Sequence, residues 1–241
     1  MNKTKIEWCD YTLNPIKGLC PVACSYCYAR RMYKRFKWNP KVRYEDPFYD
    51  FYELKNKPPS RVFIGSTIEL FGDWIRPEWI HNIFGFCCAY PQHTFIFLTK
   101  QPQNLIKWNP FPENCWVGVS ATNEIMAAAG CAWLSKIQAK VKFLSLEPLL
   151  DWDRENAENS ILKWHPKILQ WLIIGQQTPI KKATMPKRIW IEEIEEAADK
   201  ANTPVFLKNS LEKLVPHRWQ DNVLGKLLRN EDESLRQEMP R

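Results

Sequence analysis

The chain has 241 residues, enough for one large or two small domains, and its 45% hydrophobic content supports a sizeable core. No apolar run approaches the roughly 18 residues of a membrane span, and the segment Met1 to Trp8 lacks an apolar signal core, so the expectation is a cytoplasmic protein with no membrane contact. A net charge of +7 suits an anionic partner without requiring one, and eight cysteines in such a chain point to metal or redox use before disulfides.

In chain order, a first strand is predicted near Lys5 to Leu13. It feeds the run Gly18-Leu19-Cys20-Pro21-Val22-Ala23-Cys24-Ser25-Tyr26-Cys27-Tyr28. A stretch of basic residues follows over 30–43, with Arg30, Arg31, Lys34, Arg35, Lys37, Lys41 and Arg43 interleaved by Tyr28, Tyr33, Phe36 and Trp38. Such mixing suits a phosphate backbone with stacked bases, or else a solvated helix face. Lys55 to Ser60 is a loop. Short apolar runs flanked by turn residues then recur as buried strands: Val62 to Gly65, Phe95 to Leu98, Cys115 to Val119, Val141 to Leu146, Trp171 to Ile174 and Val205 to Leu207. Between them, Glu78 to Tyr90 and Ile189 to Ala201 carry helical periodicity. Residues 151–168 are polar and read as a helix or a lid. The tail from about 229 is highly charged and expected to be peripheral. The alternation predicts an α/β fold of parallel strands with outer helices. With about seven strands, it favours a partial or irregular TIM-type (β/α) barrel, in one domain spanning 1–241.

Catalytic groups in such barrels come from the carboxyl ends of the strands. Here those ends carry Ser66, Thr67 and Glu69; Thr99 and Lys100; Ser120, Thr122 and Asn123; Glu147; Gly175-Gln176-Gln177; and Lys208-Asn209. The cysteine loop also follows a strand. Its spacing, C-x3-C-x2-C, can point three thiolates at one centre, and soft thiolates select iron–sulfur clusters or zinc. A 4Fe-4S cluster usually takes four cysteines, so three leave one iron open. Structural zinc usually takes four ligands, often in two C-x2-C pairs; Cys24 and Cys27 form one pair and no second exists, with Cys9 the alternative fourth ligand. Cys87, Cys88, Cys115 and Cys131 read as packed residues, and His81, His93, His165 and His217 share no ligand spacing.

The loop resembles that of the radical S-adenosylmethionine superfamily, and it is similar to the loop of spore photoproduct lyase, with a tyrosine before and after the last cysteine. Over roughly residues 5 to 210 the chain also resembles a mostly uncharacterised phage- and plasmid-associated barrel family. The runs that carry this are Asn14-Pro15 to Tyr28-Ala29, Gly65-Ser66 with Leu70-Phe71, Leu98-Thr99-Lys100, Trp116 to Ser120, Phe143 to Leu150 and Trp171 to Gly175. Two runs depart from the pattern. Gly175-Gln176-Gln177 stands where Gly-Gly-Glu is common, so a charge that could touch substrate or cofactor is absent, and Phe206-Leu207-Lys208-Asn209 differs from the usual ending.

The resemblance implies an iron–sulfur enzyme that cleaves S-adenosyl-L-methionine to a 5′-deoxyadenosyl radical and abstracts hydrogen from an unassigned substrate, a nucleic acid or nucleotide being one class. It makes Cys20, Cys24 and Cys27 the metal ligands and sets Tyr26 against the adenine. Lys100 takes the cofactor carboxylate, with Ser66 or Thr67 in support, and Ser120, Asn123 or Glu147 the ribose. Glu147 is alternatively a structural acid orienting Lys100 or Lys208; Lys100, Glu147 and Lys208 are the candidate catalytic residues. Lys17, Arg30 and Arg31 are the cations nearest the thiols in sequence. The implied partner is an external one-electron reductant of the flavodoxin or ferredoxin type. A metal-stabilised nucleic-acid-binding protein without radical chemistry is the other class, and an iron–sulfur electron carrier a third.

Overall fold

A computed structural model describes residues 1–153, 168–215 and 228–240. The segment read as a helix or lid falls largely outside them, as do His165 and His217. All seven expected runs are strands: β2 (Tyr11–Leu13), β5 (Arg61–Ile64), β6 (Thr94–Thr99), β7 (Cys115–Ser120), β8 (Val141–Leu146), β9 (Trp171–Ile174) and β10 (Val205–Leu207). With the short β1 (Asn2–Lys3) they make a mostly parallel sheet of eight strands. Helices α1 (Tyr28–Phe36), α2 (Phe48–Leu54), α3 (Pro77–Ala89), α4 (Glu124–Leu134) and α5 (Arg188–Lys200) fall between strands, so the class is α/β as the alternation predicts.

The first strand is shorter than expected. The Ile6 N–H donates to Thr4 Oγ1 and the Cys9 N–H to the Ile6 carbonyl, turning the chain before Tyr11 and burying Trp8. The chain divides into two compact units, one of residues 1–118 with 136–140, the other of residues 119–135 with 141–241.

In the first unit β2, β5 and β6 pair in parallel, with Leu13 opposite Ile64 and Ile64 opposite Phe97. β2 and β5 therefore end level, β6 runs on to Thr99, and the residues at these carboxyl ends emerge along one edge. Beneath that edge lies an aromatic core in which Phe51 stacks on Phe86 at 4.9 Å between centroids and Phe84 meets Phe97 edge-on. The second unit repeats the device: Leu146 lies opposite Ile174, and Ile174 opposite Leu207, so β8, β9 and β10 also end level. Its core centres on Trp171, fully buried between Phe143 and Phe206.

The charged tail is not peripheral. Gln237 pairs antiparallel with Phe206, the Leu207 N–H donates to the Arg236 carbonyl at 2.8 Å, and Leu228 and Leu235 are buried. Within it, the Arg236 guanidinium sits among Glu195 and Asp199 of α5 and Glu238.

Candidate functional site

The cysteine loop opens an excursion that leaves the chain after β3 (Ile16–Lys17) and returns at β4 (Arg43–Tyr44), which pair antiparallel and close its base. Gly18 begins it at φ +135°, a backbone that L side chains rarely adopt, and a Cβ there would lie 2.6 Å from the Val42 Cα and 2.8 Å from the Lys41 carbonyl oxygen. Its N–H donates to the Tyr33 hydroxyl at 2.7 Å, and the Leu19 N–H donates to the Pro40 carbonyl at 2.9 Å. Loop, helix and return turn are thereby bound to one another. Gly18→Ala should lower stability by about 2–4 kcal/mol, combining backbone strain with a clash against main chain that cannot give way; urea midpoints of the purified proteins measure it.

Cys20, Cys24 and Cys27 are partly exposed, and all eight cysteines are free. Cys27 is the N-cap of α1: its Sγ accepts the Arg30 N–H at 3.5 Å, and its own N–H donates to the Cys24 carbonyl. Cys20 Sγ accepts the Glu69 N–H at 3.5 Å. Burial pushes the Cys20 thiol up, and that N–H pulls it back. Two of the expected cations act elsewhere. Arg30 donates to the Cys20 carbonyl, and Lys17 pairs with Glu45, because both side chains find oxygen partners that hold the loop's base. Backbone amides address the Cys20 and Cys27 sulfurs.

The donor set fits a soft metal or cluster: three free thiols on one short loop, two already receiving N–H groups. Among the described residues, however, no group of three or more His, Cys, Asp or Glu side chains is gathered as a metal site. The loop carries three thiols without converging them.

The carboxyl-end edge of β2, β5 and β6 supplies the neighbours. Asn14 Oδ1, just past β2, accepts from Ser66 Oγ, the Thr67 N–H and Thr67 Oγ1, each at 3.2 Å. Tyr28 donates its hydroxyl to the Ser66 carbonyl at 2.8 Å, tying α1 to the same turn. Glu69, 7% exposed, accepts from Thr99 Oγ1 at 2.6 Å, the Lys100 N–H at 2.6 Å and the Phe71 N–H at 3.0 Å. Burial drives its carboxyl above the ordinary range, and these three donors oppose the shift. Lys100 Nζ lies 5.8 Å from the centroid of the Tyr26 ring, within cation–π range. Tyr26 is hydrogen-bonded to Cys24; burial, then the Cys24 thiol, raises its phenol above the usual range. One unit thus brings together the cysteines, Tyr26, Ser66, Thr67 and Lys100. Asn14 and Glu69, named in the sequence only as a signature residue and a strand-end acid, are what bind them. A polar residue following each strand was the available signal.

The second unit carries the other predicted residues. Glu147 and Lys208, at the level ends of β8 and β10, form an ion pair. Gly175 lies between them at the end of β9, where a Cβ would be 2.9 Å from Lys208 Cδ and 3.2 Å from Glu147 Cγ. Asn123 caps α4, its Oδ1 accepting the Met126 N–H at 2.9 Å, and Ser120 is buried at the end of β7. Gln176 and Gln177 are also buried, and the Gln176 amide donates to the Ser210 carbonyl.

Elsewhere, Cys87 is packed but Cys88 is exposed, because it falls on the outward face of α3. His93 is structural, receiving the Ser60 N–H on Nδ1 and meeting the Leu54 carbonyl through Nε2. Of the described tryptophans, Trp8, Trp152 and Trp171 are buried and Trp38 is exposed. No helix of the described residues is long and apolar enough to cross a membrane.

A family model described as a protein of unknown function (DUF5131) matches residues 3–240. No curated protein matches the chain. A solved structure of a spore photoproduct lyase variant with bound AdoMet and dinucleoside spore photoproduct is similar at 14% identity and a TM-score of 0.48, covering 83% of this chain. This chain spans 63% of that enzyme's length.

Proposed function

We propose that this chain, which belongs to the DUF5131 family, is an iron–sulfur enzyme of the radical S-adenosylmethionine type. The observation that carries the reading is the cysteine loop: three free thiols ahead of and capping α1, with backbone N–H groups on Cys20 and Cys27. In this reading Cys20, Cys24 and Cys27 hold a 4Fe-4S cluster, and S-adenosylmethionine completes it. Bound there, the pair supplies one-electron cleavage of the sulfonium to a 5′-deoxyadenosyl radical.

The chain's own residues bind and orient. Lys100 offers its ammonium to the cofactor carboxylate, held by its main-chain bond to Glu69. Asn14 fixes the Ser66 and Thr67 hydroxyls as secondary donors. Tyr26 presents a ring beside the thiols for the adenine. Glu147 and Lys208, neutralising each other, are the proposed positioning pair for substrate, and an external flavodoxin- or ferredoxin-type protein delivers the electron.

The test is anaerobic reconstitution with iron and sulfide. A brown protein absorbing near about 400 nm is expected. With dithionite and S-adenosylmethionine it should release 5′-deoxyadenosine, and Cys24→Ala should lose both chromophore and product. Iron-loaded protein that yields no 5′-deoxyadenosine would count against the reading; zinc retained in place of iron would favour a structural metal.

A further inference from the structure

The excursion between β3 and β4 has a second half that the proposed chemistry does not use. From Leu19 to Tyr44 there is no aspartate or glutamate. Arg31, Lys34, Arg35, Lys37 and Lys41 are all exposed along α1 and the turn after it. Lys37, at φ +50° and ψ +39°, ends the helix in the left-handed conformation and sends the chain back over its last turn. The Trp38 N–H then donates to the Tyr33 carbonyl at 3.2 Å, and the Trp38 ring meets the Tyr33 ring edge-on at 5.3 Å. Its face stacks on Phe36 at 5.5 Å and 23°, and the Arg35 guanidinium lies 5.2 Å from the Phe36 centroid. Phe36 is nevertheless 52% exposed and Trp38 43%.

A solvated helix face accounts for the charges but not for two large rings left half in water among them. We propose that this surface binds single-stranded nucleic acid, its cations tracking phosphates and the Phe36–Trp38 pair stacking a base. Charge complementarity selects an anionic occupant. The rings select one with flat faces. An anionic bilayer fits less well, because Tyr28, Phe36 and Trp38 are the only large apolar side chains exposed from Tyr28 to Lys41, too few for a continuous face that enters acyl chains. The turn is fastened to the cysteine loop through Gly18 and Leu19, so a bound strand would lie on the same excursion as the thiols. The binding claim does not depend on radical formation: a failure here leaves the 5′-deoxyadenosine assay standing, and the reverse also holds.

The experiment is fluorescence anisotropy of the reconstituted full chain with labelled single-stranded DNA and RNA of about 20 nucleotides, titrated in salt from about 50 mM upward. Lys34→Glu/Arg35→Glu should weaken binding at least about tenfold and lower the log–log salt slope by about 1.4 or more. Trp38→Ala should weaken binding about 5- to 100-fold with the salt slope unchanged. Thermal melts within a few degrees of the parent would show that both variants are folded; if Trp38→Ala melts early, the charge variant alone decides. No binding at low salt overturns the proposal, as does binding indifferent to the charge variant. Retention on phosphatidylserine vesicles with no shift of either oligonucleotide overturns it in favour of a membrane surface.

Discussion

Replacing Glu69 with alanine should destabilise the protein by about 3–6 kcal/mol, a large share of the about 5–15 kcal/mol that holds most domains folded. The carboxylate is buried and is the acceptor for the Phe71 N–H, the Lys100 N–H and the Thr99 hydroxyl. Alanine leaves three donors without it, and each orphaned buried donor costs about 1–3 kcal/mol. The Thr99 hydroxyl can turn elsewhere; the two backbone N–H groups cannot. Glutamine gives a sharper result. Its oxygen can face either Lys100 or Phe71, and whichever it faces, its NH2 confronts the other N–H. Glu69→Gln should therefore cost about 1–3 kcal/mol, well short of alanine. Urea denaturation at constant m measures both. A negligible loss for glutamine would mean that volume, not acceptor count, is what Glu69 supplies. Because the Glu69 N–H also reaches Cys20, both variants should hold reconstituted iron less well than the parent.

The strands were legible in the sequence because each is a short apolar run bounded by turn residues, and tertiary burial reinforces that pattern. The first strand was overdrawn because Lys5 to Asp10 is turned by Thr4 and Ile6, local hydrogen bonds that hydrophobicity does not register. The polar residues after β5, β6, β8 and β10 were found by their position, and parallel strand registers explain why position sufficed. What could not be read was which polar residue fastens which. Asn14 and Glu69 look like any other strand-end residues, and only the three-dimensional edge shows each collecting three donors. Asn123 was named for a cofactor and turns out to cap a helix, a use that the run before α4 also permits. The tail was misjudged for a related reason. High charge suggests solvent, but three acids around Arg236 form a local network, and the intervening Leu235 is apolar and buried.

That network should make stability depend on pH in a direction opposite to the usual carboxylate. Glu195 is 0% exposed; its Oε2 accepts from Arg236 at 3.2 Å, and its Oε1 has no hydrogen-bond partner among the described residues. Burial raises its pKa to about 8; Arg236 opposes this, while Asp199 and Glu238 add to it. The folded state then binds the proton more tightly than the unfolded chain, whose glutamate titrates near 4.5. Stability from this group is complete below about pH 4.5 and is lost as pH rises toward about 8, beyond which the loss is constant. Glu195→Gln removes the titration, so its stability, measured by urea unfolding across that window, should lack the parent's decline by up to a few kcal/mol. Arg236→Met removes the counter-charge. Above about pH 8 it should cost about 3–5 kcal/mol, because an ionised Glu195 is then buried alone. Near pH 5, where Glu195 carries its proton, the loss should shrink to that of the exposed-side pairs with Asp199 and Glu238. The double variant Glu195→Gln/Arg236→Met should recover much of the alkaline loss. Equal losses for Arg236→Met at both pH values would assign Arg236 to packing alone and leave Glu195 without a role in holding the tail.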